Sequence, residues 1–365
     1  MARPLRLESR AGAIVSAALG IGCLMVAFTS SGAVERALGR DPGALLWGPE
    51  LFRALLLFHG IALVAFGFVF WRRRAGSIGR SESVQSCTSM GVRVTVGLMC
   101  AVALALRLWH LDTDLWLDEM FTLTDFLRLP LVEISAAFPS QNQHMLYSLL
   151  SRVSVVALGE SVVSIRLPAV LFGVASIWAT FLLGRRIIGT REALLASALM
   201  TFSYHHVWFS QNARGYTGLL FFATLATWLW IEALERGTAR RWTLYGLSVW
   251  LGVWVHMTMV FVVAAHGLVY LAALTKPGRN AQPLALDPSF RWKAPVSWFF
   301  AATLSLQVYA LALPEFLTVA LHEVSLDSEW INPLWVVRES LLRLADGGLS
   351  GVIVAGGILV IAAGF

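Results

Sequence analysis

The sequence predicts an all-α polytopic membrane protein, and three observations lead to this fold class. Hydrophobic residues make up 57% of the 365 residues, whereas charged residues make up only 14%. The mean hydropathy is +0.70. The apolar residues are grouped in stretches of about 20, the length that an α-helix needs to cross the hydrocarbon core of a bilayer. A water-soluble globule could not cover this apolar surface with so few polar residues, so we expect a lipid bilayer around most of the chain.

Hydropathy predicts ten membrane-spanning helices. Eight are separate apolar stretches, near residues 11–29, 51–71, 91–108, 167–184, 192–209, 216–234, 295–313 and 345–365. A longer stretch, residues 241–274, would form a helix of about 50 Å at about 1.5 Å per residue, well beyond the hydrocarbon thickness of about 30 Å. We therefore divide it near His256 into two spans.

The basic residues predict which loops face the cytoplasm. Arginine and lysine concentrate on the cytoplasmic side of short loops, and four clusters occur at residues 72–80, 185–191, 236–241 and 276–293. All four face the cytoplasm if residues 144–158 do not cross the membrane. This segment is short and carries Arg152 near its middle, where a charged residue costs about 3 kcal/mol. We therefore predict an interfacial helix there, an outward-facing region over residues 109–166, and a cytoplasmic N-terminus in the cell (inner) membrane.

These assignments divide the chain into three regions. Residues 1–71 are expected to form two additional N-terminal transmembrane helices, residues 72–90 a cytoplasmic linker, and residues 91–365 the transmembrane core. The net charge of +6 does not predict a nucleic-acid partner, because the basic residues are dispersed at helix ends rather than gathered on one face. No spacing of His, Asp or Glu is typical of a metal site, so we expect no metal.

Two adjacent carboxylates follow the predicted span 91–108. Asp118 and Glu119 end a segment that holds four carboxylates in eight residues, interleaved with tryptophan. Tryptophan is typical of the membrane interface, so an aromatic belt with solvated acids is one interpretation. The other is that one of the two neighbouring carboxylates serves as a general base.

Polar residues that interrupt apolar sequence are further candidates. Asn142 and His144 open the predicted interfacial helix, either as a surface cap or as contacts to a polar head group. Gln211 and Arg214 lie three residues apart between two apolar runs, which predicts a shared helical face. An arginine at that depth requires an anionic partner, either a ligand or an outer carboxylate. Arg166 precedes a span, where anchoring to lipid phosphates is an equally good explanation.

At these residues the sequence resembles the GT-C superfamily of membrane glycosyltransferases, and within it glycosyltransferase family 39, the protein O-mannosyltransferase and aminoarabinose transferase branch. The similar segments follow the family's order, and the second lacks both prolines of the family pattern. They are LDE at 117–119, NQHMLY at 142–147, SIRLPA at 164–169, LGRR at 183–186 and SQNARGY at 210–216. The resemblance covers residues 94–274.

The resemblance implies a GT-C-like helical bundle with juxtamembrane helices in its first large extracytoplasmic loop. It implies an enzyme without cofactor or metal, which transfers a sugar from a polyprenyl-phosphate donor to a glycan, lipid or protein acceptor, with inversion, on the extracytoplasmic face. Asp118 would be the general base and Glu119 an auxiliary acid that orients the acceptor or the sugar. Arg214 and, second, Arg166 would bind the donor phosphate. The sugar and head-group pocket would contain Gln211, Tyr216, His144, Asn142 and His256.

Two expectations accompany this resemblance. Family cores continue for further helices, so we expect the core over residues 91–365 to be C-terminally incomplete or a divergent short form. The alternative function is a membrane transporter or lipid flippase with outward-facing charged residues. The sequence disfavours it, because the hydrophobic segments show no inverted repeat and acids near the membrane midplane are scarce.

Overall fold

The computed structural model describes residues 3–72, 89–140, 142–275, 286–323 and 342, and it confirms the all-α polytopic membrane fold class. No β-strand occurs in these ranges. The chain forms two compact units, Met1–Leu317 and Thr318–Phe365. The described helices are α1 (Arg3–Ala27), α2 (Ser31–Ala37), α3 (Gly48–Arg72), α4 (Met90–Leu108), α5 (Leu117–Phe121), a π-helical turn (Thr122–Leu127), α6 (Leu131–Ile134), α7 (Met145–Leu158), α8 (Val162–Ile187), α9 (Thr190–Phe202), α10 (Tyr204–Ser210), α11 (Tyr216–Arg236), α12 (Ala239–Val255), α13 (Met259–Thr275), α14 (Phe290–Tyr309) and α15 (Leu313–Glu323).

The number of helices that can cross a membrane alone is smaller than predicted. Among the described residues, α3, α4, α8 and α11 are long and apolar enough, and the bent pairs α1 with α2 and α14 with α15 raise the number to six. The predicted span 192–209 is broken at Ser203, whose extended backbone ends α9 after 13 residues and begins the seven-residue α10. The predicted spans within 241–274 are two helices of 17 residues each. The predicted span 345–365 lies outside the described residues.

The two N-terminal helices pack against each other and against the core. Glycines allow α1 and α3 to approach each other closely, since a Cβ atom on Gly20 of α1 would lie 2.8 Å from the carbonyl oxygen of Gly60 in α3. On the core side, His59 of α3 bonds to Gln307 and Thr303 of α14, at 3.3 and 3.2 Å. Residues 73–88 of the predicted linker lie outside the described residues.

A chain of hydrogen bonds joins the helices that follow α10. Trp298 Nε1 donates to Tyr245 Oη at 2.8 Å, and Tyr245 Oη lies 3.0 Å from His266 Nδ1. His266 Nε2 lies 3.2 Å from Thr227 Oγ1. Because the Thr227 hydroxyl donates to the carbonyl oxygen of Ala223 at 2.7 Å, it accepts from His266 Nε2, and Nδ1 of the neutral ring then accepts from Tyr245. This directed chain ties together α11, α12, α13 and α14.

The predicted interfacial helix is α7, and it packs along the beginning of α8. The buried residues of α7 include Tyr147 and Ser151. Both hydroxyls donate to the carbonyl oxygen of Ile165 in α8, at 2.8 and 2.5 Å. These two hydrogen bonds therefore fix α7 against the beginning of α8.

Candidate active site

The two adjacent carboxylates of α5 point in different directions. Successive residues of an α-helix are rotated by about 100° about its axis. Glu119 is fully buried, whereas the side chain of Asp118 is 56% exposed. Glu119 lies in the first turn of α5, and its Oε2 accepts the backbone N–H of Trp116 at 2.9 Å. The two acids therefore have different surroundings despite being neighbours in sequence.

Glu119 forms a buried two-point ion pair with Arg166 of α8. Arg166 Nε donates to Oε1 at 2.8 Å and Nη2 to Oε2 at 2.7 Å, the paired geometry in which arginine binds carboxylates most strongly. The remaining N–H groups of Arg166 donate to the carbonyl oxygens of Leu111, Thr113 and Asp114 and to the Thr113 hydroxyl, at 2.9 to 3.0 Å. Arg166 thus fixes the loop between α4 and α5, and all its N–H groups have protein acceptors.

Glu119 also holds the turn that connects α10 to α11. Its Oε1 accepts the backbone N–H of Ala213 at 2.6 Å. With two bonds from Arg166, one from Trp116 and one from Ala213, the four acceptor positions of the carboxylate are occupied. Glu119 therefore determines where the next residue of the turn, Arg214, projects.

Arg214 lies at the centre of a cluster of predicted site residues. It is 6% exposed. Its Nε donates to His144 Nε2 at 3.0 Å, its Nη1 to Asn142 Oδ1 at 2.6 Å, and its Nη2 to Tyr216 Oη at 3.3 Å. Nη1 also lies 3.2 Å from Asp118 Oδ2. The structure thus brings one arginine and one partly exposed carboxylate into direct contact, with Asn142, His144 and Tyr216 holding the arginine.

Three aromatic rings form a wall behind Arg214. The ring centroids of His144 and His256 are 4.6 Å apart, and the Tyr216 ring lies 5.6 Å from the first and 5.5 Å from the second. Gly215 permits this packing, because a Cβ atom there would lie 2.5 Å from the carbonyl oxygen of Val255. His256 thereby joins the cluster from the end of α12.

Gln211 lies apart from this cluster. Its Nε2 donates to the carbonyl oxygens of Arg107 and Trp109 at 3.1 and 2.6 Å, which caps the end of α4. The predicted shared helical face of Gln211 and Arg214 is wrong, because α10 ends at Ser210 and the chain turns before α11 begins at Tyr216. The two side chains consequently point to different partners.

Arg107 and His206, which the sequence analysis did not single out, form a second buried polar group nearby. Arg107 Nη2 contacts His206 Nδ1 at 2.6 Å, and Arg107 Nε donates to Ser210 Oγ at 3.1 Å. A sequence signal existed: an arginine in the last turn of an apolar span requires a polar partner. Among the described residues, no group of three His, Cys, Asp or Glu side chains is arranged to hold a metal ion.

We expect acid pH to destabilise this cluster through His144. Burial lowers the pKa of His144 well below its ordinary value, and the positive charges of Arg214 and His256 lower it further. The ring is therefore neutral in the folded state and accepts from Arg214. The unfolded chain binds a proton at the ordinary pKa of about 6.5, so this contribution to stability is present above that pH and is lost as the pH falls through the lowered pKa.

The measurement is the thermal unfolding midpoint of the detergent-solubilised chain between about pH 7 and about pH 5. His144→Gln, which keeps a polar side chain that does not titrate, should give a shallower decline. The pKa of His256 is also lowered by burial and by Arg214, so some decline should remain in that variant. Equal slopes in the variant and the unaltered chain would contradict a role for His144 ionisation.

Part of the cluster lies in a segment that matches a known protein family. Residues 144–286 match the family model described as dolichyl-phosphate-mannose-protein mannosyltransferase. This match confirms the resemblance to GT-C glycosyltransferases and supports a membrane glycosyltransferase. The matched segment includes His144, Arg214 and His256, whereas Asp118 and Glu119 precede it. No curated protein and no solved structure matches the chain.

Proposed function

We propose that this chain transfers a sugar from a polyprenyl-phosphate donor to an acceptor hydroxyl, with inversion at the anomeric carbon and without a metal. We place the reaction on the extracytoplasmic face of the cell (inner) membrane, with the N-terminus in the cytoplasm. The observation that carries the proposal is the 3.2 Å contact between Asp118 and Arg214. It combines a half-exposed base with a buried cation, the two groups that this transfer needs.

Asp118 acts as the general base in this proposal. An acceptor hydroxyl is a weak nucleophile until a positioned carboxylate takes its proton. The acceptor oxygen then forms a bond to the anomeric carbon from the side opposite the phosphate. The bond between that carbon and the phosphate oxygen breaks, and the phosphate leaves with the electron pair. A single displacement of this kind inverts the anomeric centre.

Arg214 stabilises the charge that develops on the departing phosphate. Its hydrogen bonds to His144, Asn142 and Tyr216 fix the guanidinium before the reaction starts, so little reorganisation is required in the transition state. A bound donor phosphate competes with Asp118 for Arg214. Donor binding thereby releases the carboxylate to act as base, which couples occupancy of the donor site to activation of the acceptor.

Glu119 and Arg166 are positioning residues in this proposal rather than groups that touch substrate. Their bonds to each other, to the 111–114 loop and to Ala213 occupy the donors of Arg166 and the acceptors of Glu119. We therefore assign the donor phosphate to Arg214 and not to Arg166. His256 and Tyr216 contribute the wall of the head-group pocket, and Gln211 contributes by capping α4.

Replacing Arg214 should weaken donor binding more than acceptor binding. A hydrogen bond to a charged group contributes about 1.5–3 kcal/mol, so Arg214→Ala should raise the donor KM by about tenfold or more. Arg214→Lys keeps the positive charge but lacks the planar set of N–H donors, so its donor KM should lie between that of the unaltered chain and that of Arg214→Ala. Steady-state kinetics with each substrate varied separately measures these changes in KM.

Arg128→Ala is the control for this prediction, because it breaks an exposed ion pair with Glu160. Equal losses for both substrates with Arg214→Ala would indicate that Arg214 has a structural role instead.

The proposed function is tested by mass spectrometry of membrane lipids and glycoconjugates from a strain that lacks this protein. We expect one sugar to be missing from a glycoconjugate and its polyprenyl-linked precursor to accumulate. Re-expression of the unaltered chain should reverse both changes. Unchanged glycoconjugates together with altered movement of a lipid or solute across the membrane would favour the transporter or flippase instead.

A further inference from the structure

Arg107 is a fully buried cation with neutral partners. Its exposure is 0%. Its nitrogens donate to Ser210 Oγ, to the carbonyl oxygens of Ala103 and Thr201 at 2.9 and 3.4 Å, and to His206 Nδ1 at 2.6 Å. Among the described residues, no carboxylate forms an ion pair with it. An arginine keeps its charge when buried, so this part of the bundle carries a positive potential that the described side chains do not neutralise.

His206 presents a buried donor without an acceptor. Because arginine only donates, His206 Nδ1 must accept, and the proton of the neutral ring is on Nε2. Nε2 is buried and has no partner within hydrogen-bonding distance and angle in the part of the chain that the structure describes, although the backbone of Met200 interacts with the ring. An unsatisfied buried donor destabilises the folded protein and calls for a specific explanation. A ligand oxygen supplies one.

A cavity adjoins both His206 and the cluster around Arg214. It has a volume of about 460 Å³ and is lined by His206, Phe209, Tyr216, Thr217 and Leu220, where α10 and α11 meet. Tyr216 lines the cavity and also belongs to the cluster around Arg214, since its hydroxyl accepts a hydrogen bond from Arg214. Neither arginine lines the cavity, but Arg107 contacts its lining residue His206 and Arg214 contacts Tyr216. The cavity therefore combines polar lining groups, each backed by an arginine, with an apolar wall, which suits an anionic group attached to a hydrocarbon chain.

We propose that this cavity binds the phosphate and adjoining isoprenoid segment of a polyprenyl-phosphate donor, with His206 as a second donor to the phosphate beside Arg214. Arg107 fixes the tautomer that places N–H at Nε2, and its charge favours the anion. Phe209 and Leu220 contact the hydrocarbon. The inference rests on the proposed function and deepens it, because it identifies a phosphate-binding residue outside the predicted set.

The test measures lipid binding to the purified full chain in detergent, with intrinsic tryptophan fluorescence as the readout. The probes are a long-chain polyprenyl phosphate, the matched polyprenol, which lacks the phosphate, and inorganic phosphate. His206→Asn keeps an acceptor for Arg107 near the Nδ1 position but has no donor at the Nε2 position, whereas His206→Gln retains a donor there. His205→Asn changes the exposed neighbouring histidine and is the matched control.

We expect His206→Asn to weaken polyprenyl-phosphate binding about tenfold, the effect of one lost hydrogen bond to a charged group, with little change for polyprenol. His206→Gln should recover part of the affinity, and His205→Asn should bind normally. Unchanged phosphate-lipid affinity in His206→Asn, or an equal loss for polyprenol, would overturn the proposal. Binding of inorganic phosphate with the same dependence on His206, and of no lipid, would overturn the lipid assignment.

A second variant keeps the test available if changes at His206 prevent folding. Leu220→Trp fills the cavity from α11 and should weaken both lipid probes while leaving the unfolding temperature similar; unchanged binding would also overturn the proposal. Failure of the unaltered chain to bind polyprenyl phosphate would count against the proposed function itself. Normal binding by His206→Asn, with transfer still dependent on Asp118, would overturn only the role of this cavity.

Discussion

Asp118→Asn is expected to abolish sugar transfer while leaving the protein folded and in the membrane. The asparagine amide has nearly the same shape as the carboxylate but cannot take the acceptor proton. General-base catalysis contributes about 10²–10⁴ in rate, so the loss should reach at least that range. The side chain of Asp118 is 56% exposed, and its one ion pair is the contact with Arg214. Its replacement should therefore lower the stability of the fold only slightly. Transfer assays on membranes with matched protein amounts measure the effect.

Asp112→Asn is the matched control for this prediction. Asp112 is an exposed acid six residues earlier, in the loop between α4 and α5, so the variant makes the same change of charge away from Arg214. It should keep near-normal activity, and both variants should have unfolding temperatures close to that of the unaltered chain. Turnover retained by Asp118→Asn would remove Asp118 from the mechanism.

Hydropathy predicts most of the fold because burial in lipid requires long apolar stretches. It misjudges the crossings where the backbone, and not composition, sets the length of a helix. Residues 192–209 are continuous in apolar character, yet Ser203 ends one helix and caps the next, its hydroxyl accepting the backbone N–H of His206. A serine does this only when the surrounding packing favours the break, and a single sequence does not contain that information.

Sequence identifies the chemistry of the candidate site better than it assigns roles within it. Asp118 and Glu119 differ by one methylene group, and both follow the same span. Their environments depend on how α5 is rotated against Arg166, which is 47 residues away. Local pattern therefore finds the acidic pair but cannot tell which acid is buried.

Local sequence pattern also fails to distinguish the roles of the two arginines at the site. Arg166 and Arg214 both stand beside apolar runs, and each is a plausible ligand for a phosphate. Tertiary contacts separate them, since Arg166 is bound to Glu119 whereas Arg214 borders a half-exposed acid. The spacing of Gln211 and Arg214 fails as a guide because i, i+3 reasoning holds only inside a helix, and a turn intervenes.

Glu119→Ala should have the largest effect on stability of any single change at this site. It leaves the Arg166 guanidinium buried without a counter-charge and removes the acceptor of the Trp116 and Ala213 N–H groups. Breaking a buried ion pair by removing one partner costs about 3–5 kcal/mol, a large part of the usual stability of a folded domain. We expect a strong fall in membrane abundance and in the unfolding temperature of the detergent-solubilised protein.

Glu160→Ala separates the effect of burial from the effect of losing an ion pair. Glu160 pairs with Arg128 at 3.0 Å, but both side chains are about half exposed, so water screens the charges and the loss should stay below about 1 kcal/mol. Glu119→Gln retains an acceptor for Ala213 and should be less damaging than Glu119→Ala. If Glu119→Ala unfolded at the same temperature as Glu160→Ala, Glu119 would not be holding the 210–215 turn. A loss of sugar transfer in that folded variant would then require a direct role of Glu119 in the reaction, because the protein would retain the proposed base and phosphate ligand.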